Sequence, residues 1–385
     1  MAKKKIKCQQ TKKEVMAVIQ LETLKQVVSA PFDFTTPEAS VGFVCSYAPE
    51  ELILAAGYTP VRLFGVEGEH SLAHRHLQSY ACSLVRGILE EGLKGERKNL
   101  AAIVFPDACD AIRRLSDIWR INVKGPIHFD LVLPVKLNTE SAQAYTRELL
   151  VQFRQELAES LGAIITDEGL KEAIRLMNEI RACLQEIDRL RANGPSAISA
   201  RDYYTILRAG MVMDRRLYLR LIQEIYNEVK SQGEKEEKNG RVLLVGGMCK
   251  IPEIFSDIEE AGGWIVGDDL CVGSRYFSTL CRTEGDPLYA IAERILARPL
   301  CPAKHRGIRT RFEQIIDKAE KTGAKGVIFI QYKFCDPHAF DYPDLKEALA
   351  ERGLPTLLIE IEDPLPAEGQ IKTRCEAFIE MIKGD

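Results

Sequence analysis

Apolar residues follow two alternating rhythms along this chain. Short unbroken runs, Val41 to Cys45, Thr59 to Phe64, Ala101 to Phe105 and Ile127 to Leu133, read as parallel strands buried on both faces. The same kind of run returns at Arg241 to Val245, Trp264 to Val266, Val327 to Ile330 and Thr356 to Ile361. Between the runs, apolar positions take helical spacing, and several segments open with proline at the first helical position: Pro49-Glu50-Glu51, Pro252-Glu253, Pro287 and Tyr342-Pro343. A further helix from about Ser71 to Glu91 carries Cys82, and another follows Cys109 through Trp119. The final helix has the face Ile371, Cys375, Phe378, Ile382.

Strand–helix alternation predicts an α/β protein with two doubly wound, Rossmann-like units. The stretch from Thr139 to Lys230 lacks a strand and reads as three helical segments: one opened by Thr166-Asp167 and stopped by Asn193-Gly194-Pro195, one long segment capped by Ser199 with Asp202. A first helix spans about Thr11 to Ser29, and Gly233 to Gly240 is a charged linker. The expected domains are 1–137 (α/β), 138–240 (helical) and 241–385 (α/β). The two α/β units repeat each other: CSYAPEELILAAGYTPV and CKIPEIFSDIEEAGGWIV both run cysteine, Pro-Glu, apolar helix, Ala-Gly, strand.

At 385 residues the chain exceeds one ordinary core. A net charge of -4 gives no electrostatic case for nucleic acid. No long apolar run and no signal-like segment follows the basic Lys3-Lys4-Lys5, which predicts no membrane association and a cytoplasmic protein.

Eleven cysteines in a reducing compartment favour metal ligation or burial over disulfides. No C-x-x-C pair exists, so any metal site is assembled from distant segments. Superposing the repeat pairs Cys45 with Cys249, Cys82 with Cys301 and Cys109 with Cys335, while Cys271 has no counterpart. Cys183 and Cys375 lie on apolar helical stripes and are expected to pack; Cys8 and Cys281 have no assignment. Seven thiols therefore gather where strands end, outside the carboxyl edges that bind ligands in open α/β sheets. Thiolate sites of this kind suit iron–sulfur clusters: three hold one [4Fe-4S] cube, six hold two. Arg275, Lys333, His305 and His338 stand near these thiols in sequence, His338 as a weak candidate proton donor. The helix behind Cys45 is expected to aim its N-terminus at that thiol and favour an anion there. Neither G-x-x-x-x-G-K-[ST] nor G-x-G-x-x-G occurs, so electrons must come from a partner.

The segments CSYAPEELILAAGYTPVRL, FPDACDAIRRLSDIW, VGDDLCVGSRYF and QYKFCDPHAFDYPDLKEAL resemble the subunits of 2-hydroxyacyl-CoA dehydratases and benzoyl-CoA reductases. The resemblance implies that Cys82, Cys109 and Cys335 match the three cysteines that hold one [4Fe-4S] cluster in the dehydratases. The additional Cys45, Cys271 and Cys301 resemble the double-cubane branch, in which two cubes share a sulfide as an [8Fe-9S] cluster. Cys249 competes with Cys271 for the sixth position; the loop DDLCVGSR, with its glycine and N–H groups, favours Cys271. For that branch the resemblance implies an anaerobic homodimer, charged by a separate ATP-hydrolysing iron–sulfur reductase, that reduces small molecules at low potential. Two other readings stand beside it: a dehydratase-type subunit with a single [4Fe-4S] cluster and a 2-hydroxyacyl-CoA site, and an electron-storage protein without turnover.

Overall fold

The computed structural model describes residues 20–30, 36–193, 198–231, 240–249, 252–307, 309–362 and 369–384. Lys3-Lys4-Lys5, Cys8, the start of the first helix, Gly194-Pro195 and most of the charged linker lie outside the described residues.

Eight strands form two four-stranded parallel sheets. In the first, β1 (Ser40–Phe43), β2 (Thr59–Arg62), β3 (Ala102–Pro106) and β4 (Ile127–Leu131) take the order β2-β1-β3-β4. In the second, β5 (Gly240–Gly246), β6 (Gly263–Asp269), β7 (Gly326–Tyr332) and β8 (Thr356–Ile361) take the order β6-β5-β7-β8. The orders are the same, so the internal repeat is a repeat of topology. Central β3 and β7 are buried along their whole length, whereas the edge strand β4 alternates. Burial of this kind follows from covering both faces of a parallel sheet, a cover that β4 at the rim of the first sheet lacks and β6 at the rim of the second keeps.

Helices α1 (Glu50–Ala55), α2 (Ser83–Leu93) and α3 (Asp110–Asn122) belong to the first unit. The helical block comprises α4 (Glu140–Leu161), α5 (Asp167–Asn193), α6 (Ala200–Ala209) and α7 (Arg215–Ser231). The second unit contributes α8 (Glu253–Glu260), α9 (Ser274–Phe277), α10 (Pro287–Ala297), α11 (Thr310–Thr322), α12 (Asp336–Ala350) and α13 (Gln370–Lys383). Among the described residues no helix is long and apolar enough to cross a membrane.

Four boundaries differ from the sequence reading, each for a local reason. The block has four helices because the segment after Ser199 breaks at Gly210, where a Cβ would lie 2.4 Å from the Tyr218 ring. Asp214 then caps the new start, accepting from the Leu217 N–H at 2.8 Å. Cys82 is not inside a helix; it is the extended residue before α2. Strand β6 runs on through Asp268 and Asp269, which are buried strand residues and not part of a polar loop. Helix α12 starts at Asp336-Pro337, about two turns earlier than Pro343, which lies inside it. The Ser199–Asp202 cap forms as expected, with Ser199 Oγ accepting from the Asp202 N–H at 3.0 Å.

The block joins the two units. One continuous core contains Phe43 and Val104 of the first unit, Ile180 and Tyr218 of the block, and Leu244 and Ile330 of the second. A smaller core fills the other face of the second sheet, where Leu243, Val245, Val327 and Phe329 meet Ile315, Leu345 and Leu349. Two fully buried ion pairs fasten α1 to the block: Arg215 to Glu50 at 2.5 Å, with the Tyr276 hydroxyl adding a third contact at 3.1 Å, and Arg181 to Glu51 at 2.5 Å. Arg191 extends from α5 to the Ile265 carbonyl, and Trp264 Nε1 donates back to the Arg191 carbonyl at 3.2 Å.

Burial alone would raise the Glu51 carboxyl, but the Arg181 and Arg294 guanidinium groups and the hydrogen bond from Arg181 together outweigh it and hold the group at about 2. That value lies below the ordinary one, so Glu51 contributes stability above about pH 4.5 and loses it as pH falls toward 2. Arg181→Met leaves Glu51 buried without its partner and is expected to cost about 3–5 kcal/mol at neutral pH. The deficit should shrink as acid protonates Glu51. Thermal unfolding midpoints of both proteins between pH 7 and pH 3 check this; a deficit that does not change with pH would contradict it.

A candidate thiolate centre between two sheets

The carboxyl ends of the two sheets are tied together by cations of the second unit. Lys304 Nζ donates to the Asp107 carbonyl at 3.1 Å and the Leu133 carbonyl at 3.0 Å. Arg298 donates to the Ser46 carbonyl, to Ser46 Oγ at 3.1 Å and to the Arg275 carbonyl at 2.9 Å. The backbones of Leu137 and His305 bond at 2.9 Å, as do those of His305 and Val135. These contacts bring the loops that carry Cys45, Cys82, Cys109, Cys271, Cys301 and Cys335 to one place.

Each thiol arrives at the end of an element. Cys45 follows β1 by two residues, and Cys271 follows β6. Cys82, Cys109 and Cys335 are the residues immediately before α2, α3 and α12. Cys301 follows α10. The residue before Cys335, Phe334, has a left-handed backbone (φ 65°), a costly conformation for a side chain of its size.

The six lie close enough for their charges to act on one another. Cys45 is affected by Cys271 and Cys301, Cys109 by Cys82, Cys45 and Cys301, and Cys335 by Cys82, Cys109 and Cys301. None is in a disulfide. The remaining described cysteines are elsewhere. Cys249 is fully buried in the core beside Tyr204. Cys183 donates to the Ile222 carbonyl at 3.6 Å, Cys281 lies against Asn178, and Cys375 is fully buried. Among the described residues no three His, Cys, Asp or Glu side chains converge on a single metal ion.

The thiols divide in a way the repeat does not suggest. Cys82, Cys109 and Cys335 line an open cavity of about 510 Å³ with Phe312, Phe334 and Phe340. Its charged lining residues are Asp110, Asp336, Asp341 and Asp344; no cation lines it among the described residues. Burial raises the Cys109 and Cys335 thiols well above their ordinary value, against backbone N–H donors from Ile112 and His338.

Cys45, Cys271 and Cys301 instead meet cations. Burial would raise Cys271, but Arg62 and Arg275 bring it to about 6, helped by bonds from Ser46 Oγ at 3.4 Å and Arg62 Nη2 at 3.2 Å. Cys45 is raised to about 11 by burial and by the neighbouring Cys271, with Arg62 opposing. The glycine of DDLCVGSR has a different purpose from the one expected: a Cβ on Gly273 would lie 2.0 Å from Asp268 Oδ1, which accepts from the Leu270 and Ser274 N–H groups. The Cys271 N–H goes to the Gly247 carbonyl at 2.9 Å. Cys271 is thus set by guanidinium groups, not by a backbone nest.

Of the four residues singled out by proximity in sequence, Arg275 is buried at the centre and Lys333 is on the surface, paired with Glu362 at 2.8 Å. His305 is exposed and joins the units through its backbone. His338 is buried against Gly247, does not line the cavity, and is held neutral by burial with Arg275 and Arg311 nearby. Helix α1 has six residues, and both acids of its first turn are engaged by arginines, so the anion site expected at its N-terminus has no counterpart; Cys45 takes a bond from the Tyr47 N–H. Sequence reasoning missed Ser46, Tyr47, Arg62, Arg298 and Lys304. The one local signal was a charged residue, Arg62, at the inner end of an apolar strand.

Residues 45–382, a span enclosing all six thiols, match the family model described as 2-hydroxyglutaryl-CoA dehydratase, D-component. The chain is 29% identical over 370 residues to the beta subunit of lactoyl-CoA dehydratase from Anaerotignum propionicum, covering 94% of this chain and 98% of that one. It is 27% identical over 347 residues to the (R)-phenyllactyl-CoA dehydratase beta subunit of Clostridium sporogenes, covering 90% and 92%. A benzoyl-CoA reductase subunit from Thauera aromatica is 27% identical over 352 residues, covering 89% and 90%. The chain belongs to the 2-hydroxyglutaryl-CoA dehydratase D-component family.

Proposed function

We propose that this chain is an iron–sulfur reductase whose six thiols, Cys45, Cys82, Cys109, Cys271, Cys301 and Cys335, hold one [8Fe-9S] double-cubane cluster. The observation that carries the reading is the gathering of six thiols from both units, none in a disulfide, close enough for their charges to act on one another, with the other described cysteines elsewhere. The donor set fits: all six are soft sulfur ligands, and Cys271 is already held as a thiolate near neutral pH. When bound, the group supplies electrons at low potential, with a separate ATP-hydrolysing iron–sulfur reductase as their source and a second copy of this chain as the subunit partner.

The cavity argues for the substrate class. Asp110, Asp336 and Asp344, with no cation lining the cavity among the described residues, repel a polyanionic carrier such as coenzyme A and admit a small neutral molecule. Phe312, Phe334 and Phe340 provide apolar surface beside the thiols. Asp341 is the proton source best placed for a reduction there: it lines the cavity, and burial raises its carboxyl although Arg311 Nε donates to Oδ2 at 2.8 Å. The second reading, a subunit with one [4Fe-4S] cluster on Cys82, Cys109 and Cys335 and a 2-hydroxyacyl-CoA site, is favoured by the names of the relatives and by the fact that these three thiols alone reach the cavity.

Anaerobic purification followed by iron and acid-labile sulfide analysis separates the two, with about eight iron atoms per chain expected against about four. Alanine at any of the six should lower that content, whereas Cys249→Ala should keep it. Full iron in Cys271→Ala would reverse the choice between those two positions. Serine at Cys183 or Cys375 is expected to destabilise the fold, by about 1–3 kcal/mol for a buried hydroxyl at Cys375, seen as a lowered unfolding midpoint with iron unchanged. Asp341→Asn should retain iron and lose about 10²-fold in turnover with a reduced partner and a small unsaturated substrate; unchanged turnover would move the proton source elsewhere.

A further inference from the structure

Four buried donor atoms without an acceptor belong to residues on one side of the thiolate centre. They are the Tyr47 hydroxyl, Nε and Nη1 of Arg275, and Nε of Arg62. The remainder of each side chain is committed. Arg275 is 3% exposed and donates Nη2 to the Gly246 carbonyl, while its Nη1 stands 3.8 Å from Asp269 Oδ2, beyond bonding distance. Arg62, also 3% exposed, gives Nη2 to Cys271 Sγ at 3.2 Å. The Tyr47 ring lies under the Arg298 guanidinium, 4.8 Å from its centroid, and the charges acting on its hydroxyl are those of Cys301, Arg298, Cys45 and Arg275.

An unmet buried donor is costly, and native chains retain few of them. Three residues with unmet donors around Cys45, Cys271 and Cys301 therefore point to an acceptor that is not part of the chain. Sulfide and thiolate sulfur of an iron–sulfur group are such acceptors, and hydrogen bonds to them raise the reduction potential. On the cavity side the unmet donors are the Ser83 hydroxyl, next to Cys82, and Arg311 Nη2, whose guanidinium is already bonded to Asp269 and Asp341; no guanidinium donates to Cys109 or Cys335 among the described residues. The strongest charges on Cys109 and Cys335 are other thiols, and Lys304, between the two sides, acts on Cys45 ahead of Cys301 and Cys109.

We propose that Tyr47, Arg62 and Arg275 are positioning residues that make the group electrically lopsided. They donate to the half held by Cys45, Cys271 and Cys301 and keep that half at a higher potential than the half facing the cavity. One electron taken from a low-potential one-electron donor then rests in the interior, and the donor is left oxidised by one electron. The thiols pair across the two units, not within them. This inference rests on the six-thiolate reading.

Tyr47→Phe is the decisive variant, because it removes an unpartnered hydroxyl and nothing else. The iron-free variant should unfold at the wild-type temperature or slightly above it. With the group bound, iron per chain should be unchanged, and an EPR-monitored redox titration should find two reduction steps, the upper shifted to lower potential and the lower unmoved. Arg62→Met should move the same step further in the same direction; if that variant loses iron, Tyr47→Phe decides alone. Full iron in the wild type with neither step moved in Tyr47→Phe, or with both moved equally, overturns the inference and leaves the six-thiolate reading intact. About four iron atoms and a single step in the wild type overturn that reading, and the inference with it.

Discussion

A guanidinium group cannot be buried unless something replaces its water, and this protein buries many of them. Arg181 and Arg215 meet carboxylates, Arg191 and Arg298 meet carbonyls, and Arg311 meets Asp269 at 2.6 Å and Asp341 at 2.8 Å. Each of these bonds crosses from one element to another. They hold α1 to the helical block, the block to β6, and the second unit to the loop after β1. The relative position of the two sheets, and therefore of the thiols at their edges, follows from this set of charges more than from the apolar core, which has no preference for one approach over another.

The strands were the most legible part of the sequence. Continuous apolar runs place β3 and β7 to within two residues, because burial on both faces leaves little choice of residue type, and the edge strand β8 is placed to the residue by its own apolar run. The errors fall where a distant contact decides. Nothing local says that Gly210 must leave room for Tyr218, or that Asp268 and Asp269 extend a strand to meet Lys318, Arg275 and Arg311. The six gathered thiols were legible as loop-end cysteines, since the repeat marks where strands end. Their cations were not. Arg62 precedes Cys271 by most of the chain, and Lys304 finds its carbonyls in the other unit, so neither leaves a trace in spacing.

The internal repeat shares its topology but not its chemistry. Cys45 and Cys249 occupy equivalent places after β1 and β5, yet one faces the thiolate centre and the other is sealed beside Tyr204. Cys271, which the repeat leaves without a partner, is the thiol most strongly held by cations. Duplication thus explains the two sheets and the loops at their edges. The division of the thiols into a cavity side and an arginine side runs across the repeat and reflects which neighbours each loop met once the units docked.

The loops that carry Cys45 and Cys335 come from near opposite ends of the chain, and no subset of three thiols on either side is supplied by one unit alone. Contacts of such sequence separation form late, because loop closure must be completed before they return any stability. A ribosome-bound chain that lacks its last quarter has no Cys301 and no Cys335, so both sides of the centre are incomplete until the end of the chain has been made. The thiolate centre is therefore a property of the finished fold alone, and the cavity beside Cys82, Cys109 and Cys335 is its opening to solvent.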